Sequence, residues 1–183
     1  VSSVEIDNEQ AAFDAVTHLI SLGHRRIGMV SFPESDVLSG VTRLAGFRRA
    51  LQEHGIAGGE DQVAYAERRF EDAYTAAGLL FERYPDLTAV FAASDEFAMG
   101  TISRARDLGL CVPEQLSVIG FDDIRMAKMY HPRLTTIAQP VYELGIRAIK
   151  LLHQQIIGQE RQVLREKLSH TLIVRESTRP LRG

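Results

Sequence analysis

Ala89-Val90-Phe91-Ala92-Ala93-Ser94-Asp95 is the stretch whose reading decides the fold. Five apolar residues in a row, with no polar alternation, describe a strand buried on both faces. Ser94 and Asp95 carry the side-chain oxygens that cap helix starts. Ala98, Ile102, Ala105 and Leu108 then recur at helical spacing, and Gly109 ends the helix. Ser117-Val118-Ile119-Gly120-Phe121 is another buried strand, closing at Asp122-Asp123. Strand, helix and strand in this order make a unit with parallel strands and a crossover helix.

The same alternation extends upstream. Val4 and Ile6 suit the end of a short strand, and Asp7-Asn8 supplies cap oxygens for a helix bearing Ala12, Ala15, Val16, Leu19 and Ile20. Arg26 to Val30 reads as a buried strand, Phe32 to Val41 as a loop, and Leu44, Phe47, Ala50 and Leu51 as one helix face ending at Gly55. Val63 to Ala66 is a modest strand, and a helix from about Glu71 buries Ala73, Ala76, Ala77 and Leu80 before Pro85. Downstream, Leu134 to Ile137 is a short connecting strand, Val141 to Ile157 a long amphipathic helix, and Leu172 to Val174 a last strand. The expected class is α/β, with Rossmann-like parallel sheets covered by helices on both faces. If the chain forms two lobes, Gly58-Gly59 is the best crossing point.

Composition bounds the function. The 183 residues are 45% hydrophobic and 25% charged, enough for a real core. A net charge of -3 gives no electrostatic reason to bind a polyanion. One cysteine, Cys111, forbids an intrachain disulfide and suits a reducing compartment. No apolar run approaches the roughly 18 residues of a membrane span. Val1 to Asp7 show no signal-peptide pattern, and the missing initial Met makes a fragment of a longer protein one reading.

Open α/β sheets bind ligands beyond the carboxyl ends of their strands. The loops there hold Ser35 to Arg43, Arg68 to Phe70, Ser94-Asp95 and Asp122-Asp123. Carboxylates accept from vicinal hydroxyls, an arginine donates a fixed fork, and an aromatic ring covers a C–H face, so a small polar ligand such as a sugar fits. Each residue also has a plainer reading. Asp95 is expected to serve at least partly as a helix cap, Phe70 reads equally as core, and Asp123 as a turn residue. Asp122 follows a strand with no helix to cap, which favours a functional role.

Enzyme signals are missing. The sequence contains no Gly-x-Ser-x-Gly elbow, no phosphate loop and no Gly-x-Gly-x-x-Gly. Cys111 has no argued base nearby and reads as a small core residue. The six histidines are scattered without zinc spacing, and His24 reads as a surface or hydrogen-bonded turn residue. Asp122-Asp123 with Asp95 lacks the strand-end lysine of a magnesium phosphoryl-transfer site. No catalytic residue, metal or cofactor is expected.

Several loops together resemble the regulatory domains of the LacI/GalR repressors. They are Asp7-Asn8 with Ala11-Ala12, His18-Leu19-Ile20, Leu22 to Gly28, Arg43-Leu44-Ala45-Gly46-Phe47, Ala93-Ser94-Asp95 with Ala98-Met99-Gly100, Gly109 to Pro113, Ser117 to Asp123, and Leu134-Thr135-Thr136-Ile137. The order and spacing run across nearly the whole chain. The resemblance implies a type I periplasmic-binding-protein-like fold, in which two lobes clamp an effector. A preceding helix-turn-helix headpiece reads operator DNA in the major groove. This chain shows neither the headpiece nor the front of the first lobe, so DNA would be a partner only through the absent part.

Laid on the chain, that architecture gives residues 1–58 as the rear of the first lobe and 59–138 as the second lobe. Residues 139–160 become the crossing helix and 161–183 the terminal strand and tail. Effector contacts implied by the resemblance are Arg43, Phe70, Ser94 (where an Asn is common), Asp122 and, more weakly, Gln139, and the strand-end rule adds Asp95 as a further expected ligand-binding residue. The resemblance also implies a homodimer, with Met99, Ile102, Met126, Met129 and Tyr130 as expected interface residues; the alternative is that all five pack in the lobe's own core, a reading at least as good as the interface for Ile102, while Met99 and Tyr130 favour the interface. The resulting expectation is a cytoplasmic, allosteric effector-binding core. The competing readings are a solute-binding protein of a sugar transport system and an α/β enzyme.

Overall fold

In the computed structural model, residues 2–57, 61–158 and 163–181 are described. The chain runs β1 (Ser3–Ile6), α1 (Asn8–Ser21), β2 (Ile27–Ser31), α2 (Gly40–Glu53), β3 (Val63–Tyr65), α3 (Phe70–Arg83) and β4 (Ala89–Ala92). It continues through α4 (Asp95–Asp107), β5 (Ser117–Asp122), a 3-10 turn at Arg125–Lys128, β6 (Thr135–Ala138), α5 (Val141–Ile156), β7 (Arg165–Leu168) and β8 (Thr171–Ile173).

Six strands form one sheet in the order β3-β2-β4-β5-β6-β8. All neighbours are parallel except β8, which runs antiparallel to β6. The expected class is therefore the observed one. β2 and β4 are buried along their full length because helices cover both faces, which explains their lack of alternation. α1 packs on α2, and α3 packs on α4. Gly46 sets the first of these contacts: a Cβ there would overlap the Glu9 carbonyl oxygen and lie 2.8 Å from the Ala12 Cβ.

From β2 the chain crosses to one side of the sheet, to β3; from β4 it crosses to the other, to β5. The switch in winding thus falls between β2 and β4, where open α/β sheets form a crevice.

The division at residue 58 needs correction. β2 lies hydrogen-bonded between β3 and β4, so segments expected in different lobes share one sheet. What stands apart from that sheet is β1, paired in parallel with β7, with α5 packed on β1. Gly58 and Gly59 lie outside the described residues. β7 escaped the sequence reading because Arg165-Glu166-Lys167-Leu168 has no apolar face to announce a strand. On α5 only Leu151 is buried, while Ile149 and Ile156 are 70% and 74% exposed. Cys111 is exposed rather than core. His24 is buried, with Nδ1 3.0 Å from Thr88 Oγ1 and Nε2 3.1 Å from the Arg179 carbonyl, so the hydrogen-bonded alternative is the observed one.

Gly46→Ala is expected to lower unfolding stability by about 2 kcal/mol in urea titration, because overpacking outweighs the better helix propensity of alanine. An unchanged midpoint would mean that α1 and α2 separate freely.

Candidate functional site

Arg43 lies in the first turn of α2, its backbone N–H bonded to the Ser39 carbonyl. Its side chain points inward and the residue is only 5% exposed. A guanidinium so deep needs partners on every side. Nε donates to Asn8 Oδ1 at 3.0 Å and Nη1 to the Ala93 carbonyl at 2.5 Å. Nη2 lies 3.5 Å from Asp122 Oδ1, and Cζ sits 3.6 Å above the centroid of the Phe121 ring. Ala93 follows β4, so this one side chain ties α2 to the crevice at the switch in winding. Burial pushes the Arg43 guanidinium down from its ordinary pKa, and the Asp122 carboxylate opposes that.

Asp122 closes β5. In the parallel register Asp122 lies opposite Ala138, so the next residue of β6's chain, Gln139, comes alongside it. Gln139 Nε2 donates to Asp122 Oδ1 at 2.7 Å. Burial raises the Asp122 carboxyl, while Arg43 and then the Gln139 bond pull it down. Asp122 and Asp123 have φ of 112° and 52°, in the left-handed region rarely used by residues other than glycine. Asp123 turns away: its Oδ1 accepts from Arg175 at 2.6 Å and its Oδ2 pairs with Lys128 at 3.5 Å.

Asp95 does not behave as the expected cap. Ser94 is the cap, its Oγ accepting from the Phe97 N–H at 3.1 Å. Asp95, fully buried, instead accepts from Thr136 Oγ1 at 2.5 Å and from the Ile124 N–H at 2.8 Å. Desolvation pushes its carboxyl up to about 7. Phe70 opens α3, partly exposed, and its N–H donates to Glu96 Oε1 at 3.2 Å, which sets it beside the start of α4.

Arg43, Asp122 and Gln139 are thus joined directly. Ser94 and Phe70 lie around the same end of the sheet, and Asp95 lies behind it. Sequence reasoning missed Asn8, which was read only as a cap. Asp7 is the cap, accepting from the Gln10 N–H at 3.0 Å, and this leaves the Asn8 amide for Arg43. It also missed Phe32, and although Asp36 and Arg68 fall in the strand-end loops it named, it did not single them out. Phe32 and Phe97 ring centroids are 4.5 Å apart, and Arg68 Nη2 donates to Asp36 Oδ2 at 2.9 Å. No signal in a single sequence separates these loop residues from ordinary turn chemistry. A hollow of about 310 Å³ lined by Ile102, Arg106, Leu110 and Pro132 lies elsewhere, at the far end of α4. Among the described residues no cluster of His, Cys, Asp or Glu could hold a metal ion.

Two expected interface residues are corrected. Met99 and Ile102 are 7% and 1% exposed, covered by the chain's own packing. Met126 and Met129 remain 49% and 57% exposed, while Tyr130 is half-buried and its hydroxyl donates to the Met99 carbonyl at 3.2 Å.

Residues 16–178 match the family model of a periplasmic binding protein-like domain. The chain is 43% identical, over 98% of its length and 52% of the relative's, to the HTH-type transcriptional repressor CytR of Escherichia coli K12. It superposes on the transcriptional regulator CelR–cellobiose complex with a TM-score of 0.93 and 37% identity, covering 97% of this chain and 54% of that one. It also superposes on a LacI family regulator of Enterococcus faecium with bound ribose, with a TM-score of 0.88 and 33% identity, covering 99% and 66%. The chain spans about half the length of the curated relatives it matches.

A carboxyl whose folded pKa exceeds its unfolded value stabilises the fold fully below the unfolded value of 3.8, and that contribution is lost as pH rises through about 7. Asp95→Asn carries no such proton. In urea titrations the variant should therefore gain on the parent steadily between about pH 4 and pH 7. A gap that stays constant with pH would show that Asp95 titrates as an ordinary carboxyl.

Proposed function

The chain belongs to the periplasmic-binding-protein-like effector domains of LacI/GalR-type transcriptional regulators, and on that premise we propose that it binds a small polyhydroxylated effector, a sugar or related metabolite, in the crevice at Arg43, Asp122 and Gln139. The observation that carries the reading is the Arg43–Asp122 contact at the switch in winding: at 3.5 Å the pair is close enough to neutralise charge yet too long for a tight bidentate bond. An effector hydroxyl donating to Asp122 and accepting from Arg43 would improve both. Ser94, with a smaller hydrogen-bonding capacity than Asn, and Phe70 complete the contacts. The solved relatives with cellobiose and ribose support the ligand class.

Binding would bias the position of the lobes and, through them, a helix-turn-helix headpiece carried elsewhere on the full polypeptide. The regulator would work in the cytoplasm, where its operator lies, as a homodimer. Met126, Met129 and Tyr130 are the residues left to meet a second copy, since methionine and tyrosine bury large areas with adaptable shape. The reading requires no cofactor, catalytic residue or metal. Named relatives that are regulators favour this over a transport-type solute-binding protein.

Isothermal calorimetry on the full-length polypeptide with cellobiose and ribose tests the site. Asp122→Asn is expected to weaken binding roughly ten- to a hundredfold, the loss of one charged hydrogen-bond partner, and Asp123→Asn far less. Equal losses at the two positions would assign the wrong carboxylate. Sedimentation tests the dimer: Met129→Asp should shift the full-length protein towards monomer. A variant that sediments as the parent does would remove the Met126–Tyr130 turn from the interface.

A further inference from the structure

The turn that closes β5 adopts a backbone its residues do not favour, with two consecutive aspartates at positive φ. Something must hold it. The partners of the Asp122 side chain, Arg43 and Gln139, are the groups an effector would displace or share. The backbone is held from inside. The Ile124 N–H donates to Asp95 Oδ2 at 2.8 Å, Thr136 Oγ1 donates to Asp95 Oδ1 at 2.5 Å, and the Asp123 N–H reaches Thr136 Oγ1 at 3.4 Å. Asp95 is fully buried, and β5 is pressed against it: a Cβ on Gly120 would overlap Asp95 Oδ1. An effector has no approach to this carboxylate.

We propose that Asp95 is a positioning residue for the effector site, a carboxylate that no effector touches but that fixes the Asp122–Asp123–Ile124 backbone and so sets the affinity at Asp122. This rests on the reading of Asp122 as an effector contact. It removes Asp95 from the contacts expected from the sequence.

The charged groups around Asp95 are few. Asp122 and Asp123 face it from the end of β5 and Arg43 from α2, while β6 presents only the Thr136 hydroxyl. Arg175 and Lys128 are engaged by Asp123. An ionised Asp95 accepts both bonds with charge assistance, roughly doubling their strength. A protonated Asp95 must donate one of its own and accepts more weakly. With its carboxyl held near 7, the hold on the turn weakens as pH falls below neutrality.

Amide hydrogen exchange on the full-length polypeptide decides the matter. Asp95→Ala should lower the protection factor of the Ile124 amide at least tenfold, with Val118 in mid-core β5 unchanged. Asp95→Asn should hold the parent's low-pH protection at every pH, a loss of pH dependence that a merely space-filling role would not produce. Should Asp95→Ala fail to fold, Thr136→Val removes the hydroxyl bridge, and the Asp123 and Ile124 amides should both lose protection. Parent-like protection at Ile124 in Asp95→Ala, or in Thr136→Val where it stands in, overturns the proposal. In parallel, whichever of ribose or cellobiose binds the parent should bind Asp95→Ala at least tenfold more weakly, and equal affinity overturns the proposal as well. Binding of neither sugar by the parent counts against the sugar reading alone, because the protection factors still decide the role of Asp95.

Discussion

Burying one guanidinium at the mouth of the sheet constrains everything around it. Arg43 cannot sit at 5% exposure unless three acceptors and a ring face converge on it. Asn8 comes from the start of α1, the Ala93 carbonyl from the end of β4, and Asp122 and Phe121 from β5. Asn8 reaches Arg43 because α1 and α2 touch closely, a contact that Gly46 permits. Parallel pairing then brings the strand ends to one level: Val30 lies opposite Ala92 and Asp122 opposite Ala138. The site is a consequence of register as much as of residue type.

Three carboxylates crowd the same end of the sheet, and their surroundings give them different work. Asp123 is neutralised from outside by Arg175 and Lys128. Asp95 is dry, hydrogen-bonded and held near neutrality. Asp122 lies between them, balanced against Arg43 with its side chain still 30% exposed. Like charges this close disfavour joint ionisation. Asp122 and Asp123 add to the desolvation that pushes the Asp95 carboxyl up, while Arg43 and Gln139 oppose the upward push of burial on Asp122.

The fold was legible because it is written in spacing. Strands apolar on both faces, separated by helices with caps and glycine stops, leave few alternatives to a parallel α/β sheet, as Ala89–Ala92 and Ser117–Phe121 show. Arg43, Asp122 and Gln139 were legible through the resemblance and the strand-end rule, and the structure joins them. Other features depend on three-dimensional pairing that no local pattern encodes. Which of two adjacent side chains caps a helix is not decided by the pair itself: Asp7 caps where Asp7-Asn8 is offered, and Ser94 caps where Asp95 is expected to, because Asn8 and Asp95 have distant partners in Arg43 and Thr136. Met99 looked like an interface residue because methionine suits both a core and a surface, and only packing tells them apart. The division at residue 58 failed because strand order in a sheet does not follow chain order.

The C-terminal segment completes the logic of the turn. After β8 the chain runs back along β6 and β5, where Ser177 Oγ donates to the Val118 carbonyl and the Val118 N–H to the Ser177 carbonyl at 2.8 Å. Arg175 leaves this path to reach both the Leu134 carbonyl at 2.7 Å and Asp123 at 2.6 Å. The turn is therefore held on two sides, from within by Asp95 at the Ile124 amide and by Thr136 at the Asp123 amide, and from the tail by Arg175 through the Asp123 carboxylate. Neither hold involves the Asp122 side chain. Its partners are one long ion pair and one amide from a half-buried glutamine, contacts that an effector hydroxyl, on the proposed reading, would replace at small cost. Rigid backbone beneath an exchangeable side chain is the arrangement that binds a small ligand without first having to be ordered.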